Sequence, residues 1–363
     1  MKFLFLEPFF GGSHRDFALG LQEHSSHQID LVTLPAQFWK WRMQGAALYF
    51  HKTIDNVSRY DGIIACDMMN LTDFKALSGP NLPPVLVYFH ENQFTYPLSA
   101  GEKRNYQFGI TNMTTALCAD QVVFNSWFQR KGFLSAVDQY TRTRPDAVPS
   151  WVCEQIEKKS DVIYPGCRFP KGKIAKEPVD PSAPLIVWNH RWEYDKDPET
   201  FFKALACIKK KKIPFRLALL GEHSPRKPKL FSEAALHFKE ELAVFGYAEK
   251  REAYLDWLKK GAVVVSTAIQ ENFGISIVEA VRMGCFPLVP NRLSYPEIMP
   301  DTLLDQVIYS GFDDLLLRLE LVLQNYDEYL SLQRQLSRFM EKYAWDNLVQ
   351  EYDAALNRLV QKN

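Results

Sequence analysis

Two acids and two cations stand out in this sequence for the chemistry they could do. Glu271 and Glu279 lie eight residues apart in Ser266-Thr267-Ala268-Ile269-Gln270-Glu271-Asn272-Phe273-Gly274-Ile275-Ser276-Ile277-Val278-Glu279-Ala280. The spacing puts Glu271 at a strand-to-loop exit and Glu279 in a helix that begins near Gly274. Carboxylates accept hydrogen bonds from vicinal hydroxyls, which suits ribose and sugar diols. Gly274 lets the backbone come close to a ligand, and the helix N-terminus behind it complements phosphate. A pair of surface acids is the plainer alternative. The apolar neighbours Ile275, Ile277, Val278 and Ala280 weigh against it, because a carboxylate in such company needs a partner. Arg191 and Lys196, five residues apart, stand in Trp188-Asn189-His190-Arg191-Trp192-Glu193-Tyr194-Asp195-Lys196-Asp197-Pro198. Two cations converging on one point suit a diphosphate, since Arg forks onto two oxygens and Lys adds a compact charge. A solvated charged turn would have the same composition.

Other segments carry weaker signals. Glu7-Pro8-Phe9-Phe10-Gly11-Gly12-Ser13-His14-Arg15 follows an expected first strand and precedes the helix-like run Asp16–Glu23. Its glycines would bring backbone N–H groups to an anion, although an ordinary tight turn also explains them. A dinucleotide fingerprint does not fit, because the third glycine of G-x-G-x-x-G is missing and no acid closes the second strand. His90-Glu91-Asn92-Gln93 lies just past the expected strand Val85–Phe89, where open α/β sheets bind ligands. His90 could donate to substrate or simply cap a strand. Phe38-Trp39-Lys40-Trp41-Arg42 interleaves aromatic and basic residues. Such a run can stack on RNA bases, or its aromatic side can be core. Lys209–Lys212 and Arg226–Lys229 are basic runs of the kind that usually form solvated faces.

The elements that must position these residues alternate. Strands are expected at Lys2–Leu6, Ile29–Leu34, Gly62–Cys66, Val85–Phe89, Gln121–Phe124, Asp161–Tyr164, Leu185–Trp188, Arg216–Leu220, Ala262–Ser266 and Phe286–Val289. Many are continuous apolar runs, the pattern of parallel strands covered on both faces. With 363 residues the chain suits two α/β domains. The stretch 165–184, rich in proline, glycine and charge, divides them, so the expected domains are 1–166 and 185–342 with a linker at 167–184. A mobile loop is expected at about 138–150. The chain is helical in pattern from about Asp313, and Trp345, Leu348, Val349, Tyr352 and Leu356 mark a last helix at about 343–363.

Composition excludes several classes. The 43 basic and 43 acidic residues cancel, so no global pull on nucleic acid or membrane follows. The N-terminal apolar run ends at Glu7-Pro8, too soon for a signal peptide, and no stretch approaches a membrane span. Six scattered cysteines without a CxxC pair suggest neither disulfide framework nor zinc site, and a reducing, cytoplasmic compartment.

Taken together the segments resemble retaining glycosyltransferases of family 4. Glu271 to Glu279 matches their E-x7-E motif, and Arg191 and Lys196 match their paired cations. Val162-Ile163-Tyr164-Pro165-Gly166-Cys167 resembles their interdomain junction, and Gly11-Gly12 their N-terminal glycine loop. More narrowly, Glu7–His14, Phe89–Gln93 and Asn189–Pro198 resemble the tRNA-queuosine mannosyltransferase family. The resemblance implies a GT-B fold: two Rossmann-like, doubly wound domains facing a central cleft, the donor bound mainly by the second, and a final helix completing the first. It implies that Glu279 binds the donor ribose and that Glu271 holds sugar hydroxyls with backbone N–H groups of Asn272, Phe273, Gly274 and Ile275. Arg191 and Lys196 would neutralise the leaving diphosphate, with Gly11 and Gly12 near the same phosphates. His90 would contact the sugar, and Ser13, His14, Asn92 and Gln93 would meet the acceptor. The implied reaction moves mannose from GDP-mannose to queuosine in a tRNA anticodon, without a metal and with retention. A glycolipid or small-sugar acceptor, or a non-catalytic nucleotide- or RNA-binding module, remains as the alternative.

Overall fold

The run Phe3-Leu4-Phe5-Leu6 has no polar face, so it can be satisfied only in the middle of a sheet covered on both sides. In the computed structural model, which describes residues 1–98, 101–172, 174–221 and 229–361, it is the second position of a six-stranded parallel sheet. The strands are β1 (Lys2–Phe10), β2 (Gln28–Pro35), β3 (Gly62–Cys66), β4 (Val85–Phe89), β5 (Gln121–Phe124) and β6 (Ser160–Val162), in the order β2-β1-β3-β4-β5-β6. A second parallel sheet holds β7 (Leu185–Trp188), β8 (Arg216–Leu220), β9 (Leu242–Gly246), β10 (Val263–Val265), β11 (Phe286–Pro290) and β12 (Ile308–Tyr309), in the order β12-β11-β10-β7-β8-β9. The chain divides into two compact units, Met1–Arg168 with Tyr343–Asn363, and Phe169–Lys342.

Each sheet is doubly wound. Strand order reverses between β1 and β3 in the first unit and between β7 and β10 in the second. Helices leave in opposite directions at such a point, so a crevice opens beyond the carboxyl ends of the two strands. Glu7, Gly11, Gly12 and Asp67 lie at the first of these points, and His190, Lys196 and Glu271 at the second.

Some expectations are corrected. The first strand does not stop at Leu6 but runs to Phe10, with a register shift between Glu7 and Phe10 where the partner strand is rejoined at Pro35. Pro8 has no N–H for the ladder, so the strand bulges around it and then resumes. The stretch 138–150 is not wholly loop, because the helix Trp127–Arg142 continues through Asp138. Arg142 there chelates Asp138 one turn earlier, with both contacts at 2.8 Å. Strands β9 and β12 were not anticipated. Arg226 to Pro228 of the second basic run lie outside the described residues. Lys229 opens a helix and pairs with Glu233 at 3.2 Å. Lys209 and Lys211 likewise pair with Glu241 and Glu320.

The last helix, Trp345–Gln361, packs against the first unit through one residue above all. Trp345 is buried against Phe17, His24 and Tyr352, with ring centroids 5.8, 5.8 and 5.6 Å away. Room for the indole comes from Gly20 and Gly166: a Cβ on either would lie 2.2 Å from it. Tyr352 locks the helix further by donating its hydroxyl to the Tyr164 carbonyl at 2.8 Å. Removing a buried indole costs about 3–5 kcal/mol through lost transfer energy and the cavity left behind. Trp345→Ala should therefore lower unfolding stability by that order in urea titrations. A loss under about 1 kcal/mol would mean that the helix is held elsewhere.

Candidate active site

In the second unit the site grows from the loops that follow β7 and β10. The chain leaves β7 through Asn189 and His190, makes a short 3-10 turn at Tyr194–Lys196, and starts the helix Pro198–Lys210. Asp197 caps that helix by accepting from the Thr200 N–H at 3.2 Å, from a left-handed backbone with φ of 47°. Thr267, just past β10, donates its hydroxyl to the carbonyls of Lys196 and Asp197 at 2.9 and 2.8 Å. Arg292 donates to the Ala268 and Thr267 carbonyls at 2.9 and 2.8 Å. Thr267 thus ties the two loops to each other, as do the Ile269 and Gln270 N–H groups, which donate to the Asp195 carbonyl at 2.9 and 3.2 Å, and Arg292 braces the second loop from beyond β11.

Lys196 is buried in this tie. Its ammonium donates to the Gln270 carbonyl at 2.7 Å and lies 3.3 Å from a carboxylate oxygen of Glu271 and 3.3 Å from one of Asp195. Two hydrogen bonds, to the Gln270 carbonyl and to Glu271, and the nearby negative charge of Asp195 compensate the buried ammonium. The two expected catalytic partners Lys196 and Glu271 are in direct contact. Arg191 is more open and lies 3.3 Å from Glu193. Both cations act on His190, whose imidazole is pushed down to about 3, first by burial and then by Lys196 and Arg191. His190 is therefore neutral, with Nδ1 3.4 Å from the Ser276 hydroxyl.

Gly274 has φ of 98°, the left-handed backbone that ends the loop and caps the helix Ile275–Arg282. Its own space is narrow, since a Cβ would sit 3.3 Å from Tyr295, 3.4 Å from Ile298 and 3.5 Å from Glu271. The first N–H groups of that helix, at Ile275 and Ser276, head it without intrahelical partners. Glu279 lies one turn further, buried, with one oxygen bonded by Arg251 and the other accepting from the Tyr254 hydroxyl at 3.1 Å. Tyr254 in turn accepts from the Asn189 amide at 2.9 Å, and that amide also donates to the Ser276 carbonyl at 2.8 Å. Burial and then Glu279 push the Tyr254 hydroxyl far up, so it stays a donor. Asn272 and Phe273 lie in the same loop, where Ser294 holds the Phe273 carbonyl at 2.9 Å.

The first unit gathers a second cluster beyond β1, β3 and β4. Gly12 has φ of 49° and opens the helix Gly12–His24, placing Ser13 on the surface and His14 inside. His14 stacks on His90 with ring centroids 3.9 Å apart, and its Nδ1 lies 3.3 Å from the buried Glu7 carboxylate. Glu7 also accepts from the Phe9 N–H at 2.8 Å. The His90 N–H donates to Asp67 at 2.7 Å. Asn92 is buried and uses its side-chain carbonyl to cap the turn at Thr95, at 3.0 Å. The Gln93 side chain reaches Glu91 at 2.8 Å, while its N–H donates to Asn112, also at 2.8 Å.

Burial opposes a charge on His14, but Glu7 overrides it and raises the pKa to about 9. Burial and then the His14 charge drive His90 the other way, well below the usual imidazole range. One ring of the stack is therefore cationic and the other neutral. Burial also raises the Asp67 carboxyl to about 8 and the Cys66 thiol upward. Ligand atoms of Glu7, His14 and Cys66 lie within 4.8 Å of one another.

Residues 2–167 match the family model for the tRNA-queuosine alpha-mannosyltransferase N-terminal region, and residues 171–338 match glycosyl transferases group 1. A Drosophila melanogaster protein described as tRNA-queuosine alpha-mannosyltransferase is 35% identical over 308 residues, covering 82% of this chain and 81% of the relative. The chain belongs to the tRNA-queuosine alpha-mannosyltransferase family. It is a glycosyltransferase, and its fold is GT-B. Sucrose-phosphate synthase from Thermosynechococcus elongatus superposes with a TM-score of 0.75 at 12% identity over the full length of both chains. An E. coli trehalose-6-phosphate structure bound with UDP-2-fluoro glucose gives 0.68 at 13% identity over 99% of both. At such identities these likenesses carry the fold alone.

Within this family framework, Asp67, Arg251, Tyr254 and Arg292 lay outside the motifs, and Glu7, Asp195 and Thr267 stood inside them without an assigned role. Glu7 and Asp67 had a signal, since each is an acid inside or at the end of an apolar strand. Arg251 and Tyr254 had none, because they come from a separate helix, Arg251–Lys260.

The buried pair Glu7–His14 has a consequence for stability. His14 is raised from 6.5 to about 9, so the folded chain holds a proton there that the unfolded chain releases. That contribution is complete below pH 6.5 and disappears as the pH rises through about 9. Asp67, raised to about 8, has the same sign. Urea midpoints should therefore fall from about pH 4, where Asp67 begins to lose its contribution, to about pH 9, and Glu7→Gln should flatten the His14 part of that fall, between 6.5 and about 9. An unchanged slope in the variant would show that Glu7 does not hold His14 charged.

Proposed function

We propose that the chain transfers mannose from GDP-mannose to queuosine in a tRNA anticodon, without a metal and with retention. The observation that supports this reading most is the Lys196–Glu271 contact beside Glu279 at the reversal between β7 and β10. It sits in a chain whose Drosophila melanogaster relative is described as a tRNA-queuosine alpha-mannosyltransferase.

Breaking the sugar–phosphate bond leaves negative charge on the diphosphate and cationic character on the sugar. Lys196, Arg191 and helix N-termini stabilise the leaving oxygens from fixed positions, usually the largest catalytic contribution, while the N–H groups of Asn272, Phe273, Gly274 and Ile275 help Glu271 to hold the sugar. Glu271 exchanges Lys196 for sugar hydroxyls when the donor arrives, freeing an ammonium proton for phosphate. Glu279, aimed by Arg251 and Tyr254, takes the ribose diol. His90, kept neutral by its burial and then by the His14 charge, both donates and accepts, and so suits a hydroxyl. Gly11 and Gly12 offer backbone N–H groups to phosphate, and Ser13, His14, Asn92 and Gln93 form the acceptor side. A tRNA substrate puts the protein in the cytoplasm. Among the described residues no helix is long and apolar enough to cross a membrane.

Incubation with tRNA and GDP-mannose, UDP-glucose, UDP-galactose or ADP-glucose, followed by nucleoside mass analysis, tests the reaction. A hexose on queuosine from GDP-mannose alone is the expected result, and transfer from another donor overturns the donor assignment. Lys196→Ala should reduce kcat on the order of 10²-fold or more, and a rate within about twofold of wild type would remove Lys196 from the mechanism. Turnover should survive EDTA. Loss on chelation with recovery on manganese would show a metal requirement.

A further inference from the structure

We propose that Phe38 and Trp41, with Lys40 and Arg42 beside them, form a platform on which unpaired bases of the acceptor tRNA stack. The inference rests on the tRNA reading above and names a surface for it.

The segment joins β2 to the helix Trp39–Thr53, which buries Met43, Ala46, Ala47 and Phe50 in the first unit. Trp39 belongs to that buried side and packs on Phe108 with ring centroids 5.1 Å apart. The two neighbouring aromatics go the other way: Phe38 is 75% exposed and Trp41 is 57% exposed. Water-facing rings of this size forgo the burial that would stabilise them. Phe38 is also held with φ of 54°, a left-handed backbone that a bulky residue rarely adopts. That strained residue opens the helix, because its carbonyl accepts from the N–H groups of Trp41 and Arg42 at 2.8 and 3.0 Å. An exposed ring on a strained backbone is a cost for which the fold alone shows no return.

The geometry supplies a use for it. The Trp41 ring lies over Gly45, where a Cβ would come within 2.6 Å of the indole. One ring face is therefore backed by its own helix, and the ring is held in place with the other side toward solvent. Bases stack on such fixed aromatic faces whatever their identity. Charge fits as well. Residues 31–54 contain Lys40, Arg42 and Lys52 and no Asp or Glu. Arg42 is fixed by donating twice to the Pro35 carbonyl at 3.3 Å. Cations interleaved with stacking rings are the chemistry of single-stranded nucleic acid sites.

Position agrees with the acceptor side. A Cβ on Gly11 would lie 2.4 Å from that of Ala36, so the segment begins against the glycine loop that carries Ser13 and His14. A lipid surface would also take exposed rings beside cations. What favours the tRNA is the placement of the segment against the glycine loop that carries the expected acceptor residues Ser13 and His14.

The test is steady-state transfer to queuosine-containing tRNA with wild type, Phe38→Ala, Trp41→Ala and Trp41→Phe. Each alanine variant should raise KM for tRNA about tenfold, as expected for one lost stacking contact, with KM for the nucleotide sugar unchanged. Trp41→Phe should recover most of the effect. Both side chains face water, so thermal melting should match wild type. Should either alanine variant melt early, Lys40→Glu replaces it, and the same rise in KM for tRNA is expected. Unchanged KM for tRNA in well-folded variants would overturn the platform while leaving the tRNA reading intact. No transfer by wild type would sink that reading itself. Binding of wild type to phosphatidylglycerol vesicles, lost in the variants with tRNA kinetics intact, would assign the surface to lipid and overturn the proposal.

Discussion

A buried ammonium cannot be left unmatched, and much of the second unit is arranged around that requirement at Lys196. Desolvating a lysine costs several kcal/mol unless acceptors replace the lost water. Here compensation comes from three positions: hydrogen bonds to the Gln270 carbonyl and to Glu271, and the charge of Asp195 on the same turn 3.3 Å away. Two of the three lie on the loop after β10, so satisfying the lysine fixes that loop against the one after β7. Thr267 then completes the tie with hydrogen bonds to backbone carbonyls, and Arg292 braces the second loop. The same contacts that make Lys196 tolerable in a buried place set Glu271 and Gly274 in register. Structure and chemistry share one cause, because a charge stabilised by fixed dipoles is also a charge already oriented toward a leaving group.

The first unit solves an analogous problem with a different group. Glu7 is buried within β1 and needs a positive partner, which His14 supplies from the first turn of the following helix. The cost of holding His14 charged is then transmitted to His90, stacked on it and driven neutral. Burial and the His14 charge on one side, and Glu7 on the other, so give two rings of the same chemical type opposite protonation. Asp67, raised by its own burial, holds the His90 backbone and closes the group.

The continuous apolar strands and the positions of Arg191, Lys196, Glu271 and Glu279 could be read from sequence because their cause is local. A run such as Val85–Phe89 needs burial on both faces wherever it falls, and a glycine before an apolar helix marks a loop that approaches something closely. What escaped reading depends on contacts distant along the chain. Arg251 and Tyr254 meet Glu279 across about one helix and one strand, with separations of 28 and 25 residues, and nothing in their own neighbourhood signals it. The extension of β1 past Pro8 was hidden for a related reason. Proline is a strand breaker by local rule, and only the resumed pairing of Phe10 with Pro35 reveals that the strand survives it. Strand β9 is short and lies at the edge of its sheet, where partial burial blurs the apolar signal.

The segment Phe38–Arg42 shows where the two kinds of information meet. Sequence alone allowed either a core face or a stacking surface, since both use aromatic residues. Coordinates divide the residues between the two: Trp39 goes inward to Phe108, while Phe38 and Trp41 face water. A helix can bury only the stripe that faces its sheet, and three aromatics within four consecutive positions span more than that stripe. The sequence therefore already required that at least one ring be exposed. Which ring, and at what backbone strain, followed only from the left-handed turn at Phe38. Exposure forced by periodicity needs no function. Exposure combined with strain, a backed ring and neighbouring cations is the conjunction on which the proposed stacking surface rests, and helical spacing alone accounts only for the exposure.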